Sequence, residues 1–136
     1  MIQQTEILFP PFKRGYHLVT DAILKQLPAL PDKGMMSVFI KHTSAGLTIN
    51  ENFDSTVRKD FEAFFNRLIP DGSPYFIHDS EGDDDMPAHL KASLIGHSVS
   101  IPITNHQLNL GTWQGIYFCE FRNNGGSRKL VVTIYS

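Results

Sequence analysis

A single apolar stripe between residues 55 and 68 places the strongest constraint on the fold of this chain. Its members are spaced at i, i+4, i+7, i+8 and i+11, as Val57, Phe61, Phe64, Phe65 and Leu68. This spacing puts all five side chains on one face of an α-helix. Asp54 is suited to cap the start of that helix, and Pro70 with Gly72 marks its end. The stripe therefore predicts an amphipathic helix over residues 55–68.

Two further helices are predicted, over about residues 17–27 and 86–95. The first is followed by Pro28, which cannot continue a helix. The second has Asp85 as its candidate N-cap, Pro87 in its first turn and Gly96 as its C-terminal stop. The second helix thus begins directly after an acidic segment.

Most of the remaining chain has the pattern of β-strands. The predicted strands cover about residues 2–9, 35–42, 47–50, 98–103, 115–122 and 129–135. The Asn-Asn-Gly-Gly run at residues 123–126 predicts a hairpin between the last two strands. Because strands and helices are mixed without regular β-α-β alternation, the sequence predicts an α+β fold. We expect a single domain over residues 1–136, long enough to bury a core.

Charge and composition exclude several classes of partner. The formal net charge is -2 and the basic residues are scattered, which argues against nucleic-acid binding. No apolar stretch approaches the roughly 20 residues that span a bilayer, so no membrane partner is expected. The N-terminus has no signal-peptide pattern, and the single cysteine, Cys119, excludes an internal disulfide. We therefore expect a cytoplasmic protein.

The segment from His78 to His89 carries the strongest indication of chemistry. Two imidazoles flank four carboxylates, which are Glu81, Asp83, Asp84 and Asp85. Imidazole and carboxylate groups are common ligands of zinc and similar divalent metals. The histidine pair therefore predicts metal or substrate binding. The alternative is that the acidic residues only cap the helix that follows.

A third histidine, His42, ends an apolar strand on the same face as Val38 and Ile40. A lone histidine on such a face is usually a core residue. Together with the other two it would complete a three-histidine set with an open coordination position. Ser44 lies in the following small-residue turn, which could offer donors to an anion or be a plain turn. Glu51 lies just before the predicted helix and is also a candidate polar group.

Two other segments combine polar side chains with unusual surroundings. Trp113 and Gln114 lie between two glycines, as at a ligand site, a subunit contact or a β-bulge. Glu120 and Arg122 share one face of a predicted strand, where they need mutual pairing or a ligand unless that edge is solvated. Cys119 points the other way without an adjacent base, so we reject a cysteine nucleophile.

These motifs together resemble the YjbQ-like family, often described as secondary thiamine-phosphate synthases. The matching pieces are residues 42–52 with Asp54, 78–89 with Lys91, and 98–116 ending in Leu-Gly-Thr-Trp-Gln-Gly-Ile, then Glu120 and Arg122. The resemblance implies an α+β fold with a large mixed or mostly antiparallel sheet, assembled as a homotrimer. It also implies a pocket in which His42, His78 and His89 hold a divalent metal.

One departure from the family pattern is visible, because His106 stands where the family has glycine before Gln107. Asn105 can take a positive φ beside it, so we expect the hairpin to form. The activity that the resemblance implies joins hydroxymethylpyrimidine diphosphate to a thiazole phosphate, with loss of pyrophosphate.

The resulting hypothesis is a small metal-binding enzyme acting on a phosphorylated small molecule. The metal ligands would be His42, His78 and His89. The catalytic groups would be Glu51, Asp85 and Glu120. The substrate-binding groups would be Ser44, Lys91, Trp113, Gln114 and Arg122. Three imidazoles favour zinc, whereas the aspartate oxygens could serve as ligands for magnesium. The alternatives are a non-enzymatic metal- or metabolite-binding trimer and a metal-dependent hydrolase.

Overall fold

The structure is a computed structural model that describes residues 1–136 as two antiparallel sheets and three helices. Its elements in chain order are β1 Ile2–Phe9, β2 Gly15–Leu18, α1 Thr20–Leu24, β3 Lys33–Ile40, β4 Ala45–Glu51, α2 Ser55–Leu68, α3 Asp85–Ile95, β5 Ser98–Thr104, β6 Gln107–Leu108, β7 Gln114–Glu120 and β8 Arg128–Tyr135. The larger sheet has the order β1-β8-β3-β5-β6 and the smaller one β2-β7-β4. Every strand pair is antiparallel. The predicted α+β class is confirmed.

The main core lies between the inner faces of the two sheets. Ile7, Val38 and Val132 from the larger sheet pack in one cluster with Ile116 and Phe118 from β7. The opposite face of the smaller sheet forms a second cluster, in which α2 and α3 cover β7. Strand β7 is therefore buried on both faces, which makes it the most enclosed strand of the fold.

Helix α2 has the predicted bounds, and Asp54 caps it by accepting a hydrogen bond from the Thr56 N–H at 2.9 Å. Phe61 and Phe65 pack against Tyr16 of β2. Other members of the apolar stripe, Phe64 among them, remain exposed. The helix was therefore correctly predicted, although the smaller sheet covers only part of its apolar face.

Three local predictions need correction. Residues 17–27 do not form one helix, because residues 15–18 pair with β7 and only Thr20–Leu24 is helical. Asp85 is the first residue of α3 rather than its N-cap, which is Asp84. The predicted C-terminal hairpin is wrong, because β7 pairs with β2 and β4 while β8 pairs with β1 and β3. The glycine-rich run carries the chain from one sheet to the other instead of reversing it within one.

The turn around His106 forms as expected. Asn105 and His106 both take positive φ, at 53° and 63°, and join Thr104 to its partner Gln107 across a two-residue turn. The imidazole Nδ1 of His106 lies 3.0 Å from the Leu30 carbonyl oxygen, which ties the turn to the preceding loop. None of the helices combines the length and apolar character that crossing a bilayer requires.

Candidate functional site

His78, Asp85 and His89 converge on one point beside the start of α3. Asp85 and His89 are four residues apart on the helix and so share a face, while His78 comes from the loop before it. The Nε2 atoms of His78 and His89 lie 2.8 Å and 3.2 Å from the same oxygen, Oδ2 of Asp85. The three donor atoms all fall within 4.8 Å of one another. Asp85 is only 1% exposed, whereas both imidazoles reach solvent.

Arg122 fixes the orientation of the Asp85 carboxylate. Its Nη1 donates to Oδ1 of Asp85 at 2.7 Å, its Nε donates to Oδ2 of Asp84 at 2.9 Å, and its Nη2 donates to the Glu81 carbonyl oxygen at 2.9 Å. Asp84 also accepts the Asn123 N–H at 2.9 Å. The guanidinium thus holds one oxygen of Asp85 and leaves the other facing the two imidazoles.

The hydrogen bond made by Nδ1 of His89 determines whether its Nε2 is a donor or an acceptor. The Nδ1 atom lies 3.0 Å from the Thr43 carbonyl oxygen, and a carbonyl only accepts, so Nδ1 carries the proton of a neutral ring. The Nε2 lone pair then points at a carboxylate oxygen. Two acceptors in contact repel each other, so this pair needs either a proton or a cation between its members.

The Asp85 carboxylate is ionised at neutral pH. Burial alone would raise its pKa, but hydrogen bonding to Glu81 and His78 and the electrostatic influence of the neighbouring His89 ring and Arg122 together lower it below its ordinary value. An ionised carboxylate next to two imidazoles is a donor set that suits a divalent cation.

The structure places His42 outside this set. Its Nε2 accepts the Lys129 N–H at 2.8 Å, so that lone pair is already used. The expected three-histidine set is therefore not assembled, and Asp85 stands where His42 was predicted. His42 still lies nearby, because with His89 and His97 it lines a groove of about 230 Å³. His97 was not singled out from the sequence, since no local pattern connects it to the other two.

Glu120 and Ser44 have structural partners rather than the catalytic and substrate-binding roles expected of them. Glu120 is 0% exposed and accepts from Nε and Nη2 of Arg128, at 2.8 Å and 2.6 Å. Nη2 of Arg128 also donates to Oγ of Ser44 at 3.0 Å. These three side chains form a closed polar cluster at the crossover between the sheets, where no substrate can reach the carboxylate.

The two cations expected to bind phosphate are also engaged. Lys91 is 1% exposed between α2 and α3, and its Nζ donates to Oδ1 of Asn66 at 2.6 Å. Burial, with a further contribution from Arg14, lowers the pKa of Lys91 to about 8. Arg122 is paired with Asp84 and Asp85 as described. In this structure neither side chain is free to contact a phosphate as predicted, because Lys91 is enclosed and Arg122 is occupied by its carboxylate partners.

Glu51, Trp113 and Gln114 lie together at the other end of the smaller sheet. Glu51 of β4 is opposite Gln114 of β7, and Trp113 contacts Phe53 edge-on with ring centroids 5.6 Å apart. The Glu51 carboxylate accepts the Asp54 N–H at 3.1 Å. Strand β4 separates this end from Thr43 by roughly 25 Å, at about 3.3 Å per residue over eight residues. Within one chain these residues cannot meet the histidine pair.

Comparison with known proteins shows one family. The family profile described as "UPF0047 protein YjbQ-like" matches residues 5–136. The "UPF0047 protein YjbQ" of Escherichia coli O157:H7 is 50% identical over 123 residues, covering 89% of this chain and 88% of that protein. The protein of the same name from Salmonella typhimurium is 46% identical over 136 residues, covering 98% of each.

Solved structures agree with this fold. The crystal structure of an uncharacterised YjbQ/UPF0047 protein from Clostridium acetobutylicum has a TM-score of 0.81 at 36% identity, covering 96% of this chain and 99% of that one. A conserved hypothetical protein from Thermus thermophilus has a TM-score of 0.82 at 29% identity, covering 94% and 97%. The arrangement of two antiparallel sheets is thus shared with these structures.

Replacing Glu120 distinguishes a structural from a catalytic carboxylate. Glu120→Gln leaves the Arg128 guanidinium buried without its counter-charge, so we expect the free energy of unfolding to fall by about 3–5 kcal/mol. The matched control is Glu6→Gln, which removes an exposed pair with Lys129 and should cost less than about 1 kcal/mol. Urea denaturation measures both. A stable Glu120→Gln protein would contradict the structural role.

Proposed function

The chain belongs to the YjbQ-like UPF0047 family, and from this premise we propose that it is a metal-dependent enzyme acting on a phosphorylated small molecule. His78, Asp85 and His89 are the proposed ligands of one divalent ion. The observation that carries the proposal is the convergence of both Nε2 atoms on one oxygen of Asp85, at 2.8 Å and 3.2 Å.

The donor set fits a transition metal. Two ligands bonded at about 2.1 Å to a tetrahedral ion lie about 3.4 Å apart. The His89–Asp85 separation of 3.2 Å is close to this, and the His78–Asp85 separation of 2.8 Å would have to widen slightly to admit the ion. Two imidazoles and one carboxylate favour zinc among abundant divalent ions, and manganese or cobalt can share such a set. Magnesium prefers oxygen ligands throughout and fits less well. A divalent ion with three protein ligands polarises a phosphoryl oxygen or activates a water at its open position.

The surrounding residues orient these ligands. Thr43 holds the His89 ring through Nδ1, and Arg122 holds the Asp85 carboxylate through Oδ1. The Thr43 carbonyl fixes the tautomer of His89 and raises the basicity of its Nε2, whereas Arg122 fixes the direction of the Asp85 carboxylate. Lys129 holds His42 in the adjoining groove without using its Nδ1. The site therefore has the rigid support that a catalytic metal requires.

The two sides of the proposed centre differ in charge. Beyond His78 lies a cavity of about 150 Å³ whose lining includes the carboxylates of Asp79 and Asp83. Beyond His89 lies the groove of His42 and His97. Burial is the main cause that lowers the pKa of His42, and the charges of Arg128 and neighbouring lysines lower it further. No carboxylate lines the groove of His42 and His97, which supports a phosphate lying there rather than near Asp79 and Asp83.

Hydrolysis of a phosphoester is the reaction that the geometry favours. Thiamine-phosphate synthesis requires cations for a departing pyrophosphate, and Lys91 and Arg122 are both held by protein partners. Thiamine-phosphate synthesis, which the family resemblance implies, is the second candidate activity to assay. A non-enzymatic metal-binding role is the third, and the same experiment separates it from the other two.

The test measures bound metal and turnover on matched histidine variants. Metal-stripped protein is incubated with zinc, manganese or cobalt and dialysed, and the bound ion is counted by elemental analysis. We expect one ion per chain in the wild type and a loss of at least tenfold in affinity for His78→Asn. His106→Asn is the control, because it removes an exposed imidazole at a turn where asparagine tolerates positive φ.

Turnover is measured on a panel of phosphate monoesters and diesters, and on hydroxymethylpyrimidine diphosphate with thiazole phosphate. We expect metal-dependent release of phosphate that falls at least a hundredfold in His78→Asn and Asp85→Asn while His106→Asn keeps it. Stoichiometric metal without turnover on any substrate would contradict the enzymatic role. Metal retained equally by His78→Asn would contradict the site itself.

We also propose that the chain assembles as a homotrimer. The outer face of the larger sheet has no covering layer and exposes Met35, Phe39 and Tyr135 among other large apolar side chains. An uncovered apolar sheet face of this kind supports a subunit contact. A neighbouring copy would also be needed to bring Trp113 near a histidine pair.

Sedimentation measures the assembly directly. The wild type should have three times the 15.3 kDa mass of the chain. The double variant Met35→Lys with Tyr135→Lys should have a mass close to that of a single chain. The control is Phe64→Lys with Leu68→Lys, which adds the same two charges at exposed apolar positions of α2. A monomeric wild type would contradict the trimer, and an intact double variant would exclude this face as the contact.

A further inference from the structure

We propose that the groove between the first half of α2 and the segment entering β2 binds a phosphate-bearing small molecule. The groove has a volume of about 360 Å³ and lies along residues 13–17 and 55–62. This volume is within the range of small-ligand sites. The proposed site is separate from His78, Asp85 and His89 and does not depend on the function proposed for them.

Two unpartnered polar atoms mark this groove. In the whole chain only Tyr16 Oη and Arg58 Nη1 are buried side-chain polar atoms without a hydrogen-bond partner. Both residues line the same groove. Tyr16 is 8% exposed, so its hydroxyl has little access to solvent as an alternative partner. Buried donors without partners are rare in native proteins, and two at one groove indicate a ligand that accepts hydrogen bonds.

The charge of the groove selects an anion. Lys13, Arg58 and Lys59 line it together with one carboxylate, Glu62. Arg14 also lines it, but Asp71 already binds that guanidinium at 2.8 Å and 3.1 Å. The three remaining cations exceed the single carboxylate by two charges. A phosphate monoester carries about -1.5 to -2 at neutral pH and balances that excess.

Other polar groups of the groove are not free to bind the anion. The Asp54 carboxylate already caps α2, so the N-terminus of this helix is not expected to bind the ligand. His17 directs its Nε2 at the Lys13 carbonyl oxygen, 2.6 Å away, and stacks on Phe12. The phosphate is therefore expected between Arg58 and Lys59 on the helix and Lys13 on the facing segment, with the buried Tyr16 hydroxyl becoming a neutral donor once its side chain turns toward the groove.

The topology keeps this groove apart from the histidine pair. β2 and β4 lie on opposite sides of β7 in the smaller sheet. The groove follows the β2 edge, whereas His89 is bound to Thr43, just before β4. Phosphate binding here can be lost while the metal centre remains intact, so failure of one proposal is distinguishable from failure of the other.

The test uses inorganic phosphate and phenyl phosphate as probes. Both are titrated into the full-length protein in the presence of a chelator, so that a bound metal contributes nothing, and amide shifts are followed by NMR. We expect saturable shifts at residues 13–17 and 55–62. The double variant Lys13→Gln with Lys59→Gln should weaken binding at least tenfold, and Tyr16→Phe at least threefold, since it removes only the hydroxyl.

The matched control is Lys25→Gln with Lys33→Gln, which removes two exposed lysines away from the groove and should leave binding within twofold. All variants are compared at equal folded fraction by circular dichroism. Equal affinity in wild type and in Lys13→Gln with Lys59→Gln would overturn the proposal. Shifts confined to residues 78–97, or no saturable shift at all, would overturn it as well.

Discussion

The contacts of Arg122 with Asp84 and Asp85 hold the candidate site together. Arg122 comes two residues after β7, and the strand itself is enclosed on both faces. Its guanidinium therefore ties the loop before α3 to the most enclosed strand of the protein. Charge-assisted bonds of 2.7 Å and 2.9 Å to two carboxylates are stronger than neutral ones. Without these bonds the nearly buried Asp85 carboxylate would lack its counter-charge and its fixed position. The two imidazoles that contact Asp85 would then lose their positions as well.

A second polar cluster determines how the chain passes between the sheets. Glu120 ends β7 in one sheet and Arg128 begins β8 in the other, and their side chains pair in the interior together with Ser44. Gly125 lies against this pair, where a Cβ would overlap the Glu120 carboxylate. The glycine-rich run is thus a crossover around a buried ion pair. This explains why residues that were candidates for catalysis are instead fixed inside the protein.

The sequence predicted elements whose signals are local and missed arrangements that depend on distant partners. The stripe of α2, its Asp54 cap and the end of α3 at Gly96 follow from spacing and capping alone. The C-terminal hairpin was wrong, because the turn signal cannot show that β7 and β8 have different neighbours. At the site, the motif indicated His78 and His89, but Asp85 was assigned to capping and acid–base chemistry. Its spacing of four residues from His89 could have identified it as a candidate ligand.

The central claim is that one divalent ion binds between His78, Asp85 and His89. Anomalous diffraction at the zinc edge, from crystals of metal-stripped protein soaked in zinc, tests it most directly. The account predicts one strong anomalous peak within bonding distance of both Nε2 atoms and Oδ2 of Asp85. A peak centred on His42 and His97 instead, or none at the histidine pair, would contradict it.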